Sequence, residues 1–232
     1  MKTILHIIDT TGPGGAETVF IDLATRLPKD KFRSVIVIRG KGWVYDELFR
    51  RGFTPLLLDA KGSFNWRYLL GLREIIKREN VDLIQSHLLG SNVYSAIVGL
   101  ITRKPVITTF HGAVDVSETE RFMALKFLFI NTGSSRIVAV SESLKDEIVE
   151  RTPLKSKKTA VIYNGIDTVV FEQKKSDDFR HQFGWPDNDI IIGSLGNIRP
   201  AKTYDTLLRA AALLGNQKVV CRFVIAGQGE FK

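Results

Sequence analysis

The sequence predicts an α/β protein: a Rossmann-like parallel sheet with helices on both faces, followed by a partial second Rossmann-like unit. Three observations carry this. Short β-branched runs alternate with amphipathic stretches along the chain. Runs such as Ile36-Val37-Ile38 and Ile137-Val138-Ala139-Val140 are apolar at successive positions, as parallel strands covered on both sides must be. The alternation pauses after Asp167, at Glu172-Gln173-Lys174-Lys175-Ser176-Asp177-Asp178, and then resumes.

Taken in order, the apolar run before Asp9 predicts a strand over 3–9, and the amphipathic stretch after the glycines a helix over 16–27. The next pairs of apolar run and amphipathic stretch are 33–38 with 44–51, 54–58 with 66–79, and 81–86 with 92–101. Then come 105–110 with 120–131, 136–141 with 142–150, and a last strand over 159–163. Beyond the polar stretch, 177–183 suits a short helix, 190–195 a strand, 203–214 a helix and 221–226 a strand. These divisions predict a first domain over 1–168, a linker over 169–186 and an incomplete second domain over 187–232. A β-α-β piece of that size buries little surface alone, so the second domain reads as cut short.

Composition narrows the class. Of 232 residues, 44% are hydrophobic and 25% charged, which excludes intrinsic disorder. No apolar run reaches the length of a membrane span. The run Ile4-Leu5-His6-Ile7-Ile8 is short and ends at Asp9, which does not fit a secretory signal. The single Cys221 excludes an internal disulfide and fits a reducing, cytoplasmic setting. The net charge of +8 favours anionic partners: nucleic acid, anionic lipid or phosphorylated small molecules. No RNA-binding aromatic motif or zinc-finger spacing is present, so nucleic acid is not the expected partner.

Ligands of such sheets bind beyond the carboxyl ends of the strands. The first strand runs into Asp9-Thr10-Thr11-Gly12-Pro13-Gly14-Gly15-Ala16-Glu17 and then a helix. Glycines there let backbone approach a ligand, and the helix start favours an anion; a tight ligand-free turn is the alternative. The loop is not a dinucleotide fingerprint, because Glu17 stands where the third glycine is needed. Arg39, at the end of the second strand, keeps an NADP enzyme as a weaker competitor. Asp187-Asn188-Asp189 has the spacing of a metal-binding pair but precedes a strand, which points to a surface turn.

Further landmarks fall at successive strand ends: Asp82-Leu83-Ile84-Gln85-Ser86-His87, Thr108-Thr109-Phe110-His111-Gly112 and Val138-Ala139-Val140-Ser141. Tyr163-Asn164-Gly165-Ile166-Asp167 follows, with Phe171 beyond it. Then come Gly193-Ser194-Leu195-Gly196-Asn197-Ile198-Arg199-Pro200-Ala201-Lys202 and Ile225-Ala226-Gly227-Gln228-Gly229. With Gly14-Gly15-Ala16-Glu17, this ordered series resembles glycosyltransferase family 4, the retaining nucleotide-sugar transferases of GT-B fold.

The resemblance implies an N-terminal acceptor domain, a C-terminal donor domain and chemistry in the cleft between them. It implies transfer of a hexose-type sugar from a nucleotide diphosphate sugar to a hydroxyl acceptor, in cell-surface polysaccharide or glycolipid synthesis. The acceptor would be a lipid-linked sugar, a polysaccharide or a small metabolite. No cofactor and no metal are implied. His111 matches the family's histidine at the reaction centre. Gly14, Gly15, Arg199 and Lys202 would face the donor phosphates, and Gly196 and Gly227 would be turns that clear room for the nucleotide. Asn197 takes the place of the usual arginine, which leaves Arg199 as its substitute. His87 and Ser141 would lie on the acceptor side, although Ser141 also suits a helix cap. His6, inside the first strand, reads as structural.

The family's Glu-x7-Glu donor motif does not occur after Gly229, so this chain alone is expected to lack full activity. A non-catalytic half-protein binding an acceptor, membrane or partner is the alternative. The apolar stretch Phe122, Met123, Leu125, Phe127, Leu128, Phe129 and Ile130, flanked by Arg121 and Lys126, suits either burial or a membrane interface. Peripheral attachment to the cytoplasmic membrane face follows from the second choice.

Overall fold

The structure is a computed structural model that describes residues 1–59, 64–112, 122–169, 179–198, 200–216 and 220–229. It divides into two compact units, Met1–Ile166 and Asp167–Lys232.

The first unit is built on seven strands: β1 (Lys2–Ile8), β2 (Phe32–Ile38), β3 (Leu56–Leu57), β4 (Leu83–His87), β5 (Val106–Phe110), β6 (Arg136–Ala139) and β7 (Thr159–Val161). All pair in parallel, in the order β3-β2-β1-β4-β5-β6-β7. The connecting helices are α1 (Gly15–Arg26), α2 (Trp43–Arg50), α3 (Trp66–Arg78), α4 (Leu89–Thr102), α5 (Met123–Gly133) and α6 (Glu142–Arg151). The α/β expectation therefore holds. β3 is shorter than the predicted 54–58; Pro55 brings no amide to the ladder.

Alternation along β1 sends its side chains into two cores. Leu5 and Ile7 pack with Tyr68, Leu72 and Ile76 of α3 and with Val98 of α4. Ile8 packs with Phe20 and Ile21 of α1 and Leu48 of α2. A third cluster joins Phe110, Ile137 and Ala139 to Phe127 and Ile130 of α5. His6 is wholly buried within β1, with Nε2 3.4 Å from Ser34 Oγ, in keeping with a structural role.

The chain winds outward from β1 to β3 and then returns to the other side of β1 at β4. The sheet order thus reverses between β1 and β4, which is where an open parallel sheet leaves a crevice at its carboxyl edge. α4 begins at Leu89, three residues before the predicted start at 92. The chain leaves β4 at His87 and turns through a single residue, Leu88, at φ 71°. A leucine in that region carries strain, and the bond from Leu88 N–H to the Thr109 carbonyl at 3.1 Å helps hold it there.

The second unit contains parallel strands β8 (Ile190–Leu195) and β9 (Cys221–Ala226), the short helix α7 (Phe179–Gln182) and α8 (Tyr204–Asn216). The described part of the expected linker packs onto this unit. Arg180 donates to the carbonyls of Pro186 and Asp189, and Arg222 lies over the Trp185 ring. Phe171, Arg121 and the whole polar stretch 172–178 lie outside the described residues.

Candidate active site at the carboxyl edge of the sheet

Two histidines meet beside the reversal, at the ends of β4 and β5. His87 is the last residue of β4, and His111 follows the last residue of β5. His87 Nδ1 lies 2.7 Å from His111 Nε2, and the two rings meet edge to edge, with centroids 5.0 Å apart and planes 22° from parallel. His87 is 1% exposed, with the Phe20 ring edge-on to it at 5.4 Å; His111 is only partly buried. His87 therefore sits beneath His111. The sequence places His87 on the acceptor side; here its ring is buried and His111 is the partly exposed member of the pair. Burial lowers His111 to about 4. It holds His87 well below the ordinary histidine range, reinforced by the charges of His111 and His6.

A buried amide fixes the strand ends that carry this pair. Asn92, in the first turn of α4, accepts from Ser86 Oγ at 2.8 Å and donates to the Thr109 carbonyl at 3.0 Å. Ser86 precedes His87, and Thr109 lies two residues before His111. One side chain thus ties the register of β4 to that of β5. Asn92 escaped the sequence reading. A polar residue in the first turn of a mostly apolar helix was its only signal.

The glycine loop forms one wall of a depression of about 720 Å³, lined by Asp9, Thr10, Thr11, Gly12, Pro13, Glu17, Arg39, Gly40 and Asp59. Thr11 braces the loop by accepting from Val44 N–H at the start of α2, at 3.1 Å. Gly14 and Gly15 open α1 as expected, but the Glu17 carboxylate folds back against Gly14. The first turn of α1 thus already holds an anion of its own. Arg39 pairs with Asp59 at 3.7 Å. On the other side of the loop, the Asp9 carboxylate lies against Gly90 in the first turn of α4.

The remaining predicted residues fall elsewhere. Ser141 caps α6, accepting from Leu144 N–H at 3.2 Å. In the second unit, Gly227 passes so close to the Gly196 carbonyl that a Cβ at 227 would collide with it. Tyr204 Oη donates to that same carbonyl at 3.0 Å. The space cleared by Gly227 is therefore taken by backbone. Lys202 ends a 3-10 turn, exposed and close to Gly196; Arg199 lies outside the described residues. Asp189 pairs with Arg222 at 2.7 Å, an ion pair of the turn before β8. Among the described residues, no group of three or more His, Cys, Asp and Glu side chains is placed to hold a metal.

The model of the family described as Glycosyltransferase Family 4 matches residues 13–170, and that of Glycosyl transferases group 1 matches residues 175–232. An uncharacterized glycosyltransferase of Methanocaldococcus jannaschii is 25% identical, over 68% of this chain and 43% of its own length. The O-antigen biosynthesis glycosyltransferase WbnH of Escherichia coli is 23% identical, over 72% of this chain and 49% of its own. The crystal structure of Anabaena HepE in complex with UDP and glucose superposes with a TM-score of 0.81 at 23% identity. That match covers 100% of this chain and 62% of HepE. The chain thus spans less than two thirds of the length of each of these three proteins.

Proposed function

The chain belongs to Glycosyltransferase Family 4, and on that premise we propose that it carries the acceptor-side unit and the first part of the donor-side unit of a retaining sugar transferase. The enzyme moves a hexose-type sugar from a nucleotide diphosphate sugar to a hydroxyl acceptor in surface polysaccharide or glycolipid synthesis. The family match over residues 13–170 is the observation that carries this reading. The histidine pair at the ends of β4 and β5 supports it, since a fixed polar group at a strand end can stabilise charge that develops on an oxygen of the reacting groups. HepE's bound UDP makes a uridine diphosphate sugar the first donor to test. Lys202 and Arg199 of the second unit, and Gly14 and Gly15 of the first, are the proposed phosphate contacts.

The test is release of nucleoside diphosphate from a panel of sugar nucleotides, with and without sugar acceptors. It is run on this chain and on any longer product of its locus. Acceptor-dependent release that falls at least about a hundredfold in His111→Ala supports the proposal. Absence of release from every form, with acceptor binding retained, replaces it with the non-catalytic reading.

One observation favours membrane attachment within the same reading. α5 buries Phe127 and Ile130 but exposes Leu125 and Leu128, and Phe122 is exposed at its N-cap. It is therefore buried on one side, as the first of the two alternatives expects, and carries exposed apolar side chains on the other. We propose that the outer side rests on an anionic membrane. Among the described residues, no helix is long and apolar enough to cross one.

A further inference from the structure

We infer that His87 donates the proton on its Nδ1 to His111 Nε2 and thereby locks His111 in the Nδ1–H tautomer. His87 is then a positioning residue, and the other nitrogen of His111 carries that ring's proton.

The argument is a count of protons. At 2.7 Å, one proton must lie between His87 Nδ1 and His111 Nε2, because two facing lone pairs or two facing N–H groups repel. Two arrangements place it. In the first, His111 Nε2 carries the proton, and the single proton of His87 sits on its own Nε2. That atom is buried, with no hydrogen-bond partner among the described residues. The arrangement therefore strands a buried N–H donor, the rarer and costlier kind of unsatisfied group. In the second, His87 carries its proton on Nδ1, where a partner waits, and only a lone pair is left unmatched at Nε2. The second arrangement wins. It makes His111 Nε2 an acceptor, so the proton of His111 resides on Nδ1.

A third arrangement, with one ring doubly protonated, is opposed by burial of both rings. The charged groups that bear on His87 are His111 from the end of β5 and His6 from β1, and each opposes a second proton. Phe20 of α1 packs edge-on to the His87 ring and offers no proton acceptor in its side chain. Geometry fixes the rest. Asn92 ties the two strand ends, which sets the separation of the backbones that carry the rings.

The chemical consequence rests on the transferase reading; the tautomer does not. A histidine held as Nδ1–H at that position offers a hydrogen bond to an oxygen and cannot take up a proton there. His111 would then orient or stabilise an oxygen of the substrate and would not act as a general base through Nδ1.

Long-range 1H–15N correlation NMR on the 15N-labelled 232-residue chain at pH 7 tests this directly, since it reports which ring nitrogen bears the proton. The expected result is the Nδ1–H signature for both His87 and His111. An Nε2–H signature for His111 in the intact chain overturns the inference. In His87→Phe the donor is gone, and His111 is expected to lose the Nδ1–H signature in favour of Nε2–H or a mixture. An unchanged His111 in a folded His87→Phe also overturns it. His87→Asn places an amide N–H where Nδ1–H stood and is expected to retain the Nδ1–H form. Should His87→Phe fail to fold, the intact chain and His87→Asn still decide. No step reads sugar transfer, so failure of the transferase reading leaves this test untouched.

Discussion

The carboxylate of Asp9, one residue beyond β1, fills the space that any side chain at position 90 would need. Leu88, the N-cap of α4, supplies no side-chain bond to the first turn. A carboxylate at that helix start is favoured by the partial positive charge of the free amides. Gly90→Ala should therefore push the Asp9 carboxylate off the helix start, a cost that works against the roughly 1 kcal/mol of helix propensity alanine holds over glycine. The same change made in an Asp9→Ala background should cost measurably less, because the collision is gone. Urea unfolding of the two single variants and the double variant gives the coupling, and strictly additive losses would sink the idea.

Acid should destabilise the first unit through its buried histidines. His6 and His111 are each lowered to about 4 by burial, from an ordinary 6.5, and His87 is lowered as well. The unfolded chain binds more protons than the folded one between those values. Stability is thus complete above about pH 6.5, falls as pH drops, and has lost the full contribution once pH passes below about 4. His6 alone accounts for roughly 3 kcal/mol across that window. Denaturant midpoints measured from pH 7.5 to 4 should fall in the wild type and fall less steeply in His6→Phe. A flat profile in the wild type would contradict the assignment.

Asn92→Ala should cost about 1–3 kcal/mol, because Ser86 Oγ loses its acceptor and the Thr109 carbonyl loses one of its two donors. It should also loosen the histidine pair. The check is hydrogen exchange at the amides of residues 86–88 and 109–111. Protection should drop there by more than it drops in β2. Uniform loss across the sheet would reduce Asn92 to a generic core residue.

Most of the fold was legible because its signal is local. Ile36-Val37-Ile38 is apolar on successive residues whatever it packs against, and Ser141 before Glu142-Ser143 announces a cap from neighbours alone. The site was less legible because its contacts join residues far apart in sequence. His87 could be placed at a strand end, but its position under His111 depends on the β4–β5 register and on the turn at Leu88. Glu17 spoils a glycine fingerprint and closes the Gly14-Gly15-Ala16-Glu17 landmark, but its carboxylate against Gly14 depends on the first turn of α1. Gly227 was readable as a turn glycine, but the Gly196 carbonyl that needs its space lies on another strand end.

That last contact gives a prediction for the second unit. The ladder of β8 and β9 continues past both strand ends, through Gly196 N–H to the Ala226 carbonyl at 2.9 Å and Ile198 N–H to the Gln228 carbonyl at 2.8 Å. A methyl group at 227 meets backbone, which cannot rotate away as a side chain can. Gly227→Ala should therefore break the bonds at Gly196 and Ile198 and leave β1–β7 unaffected. Amide exchange resolved by residue checks this: faster exchange at Gly196 and Ile198 with unchanged rates in β1 is expected. Unchanged exchange at 196 and 198 would show that the turn can shift to admit a side chain.

The outer side of α5 offers a last test, of membrane attachment. Leu125 and Leu128 are 51% and 53% exposed, one turn apart on the same helix, so replacing them removes little packing from the core. A basic chain with a net charge of +8 gains affinity for an anionic surface, and exposed leucines add the apolar insertion that charge alone lacks. Co-sedimentation with vesicles rich in anionic lipid should exceed that with neutral vesicles and should weaken as salt is raised. Leu125→Glu with Leu128→Glu should lower binding to the anionic vesicles at least about fivefold, since about 1 kcal/mol per lost or repelled contact is at stake. Thermal stability should barely change. Binding that survives the double substitution but vanishes in high salt would place the membrane contact on basic residues elsewhere and remove α5 from it.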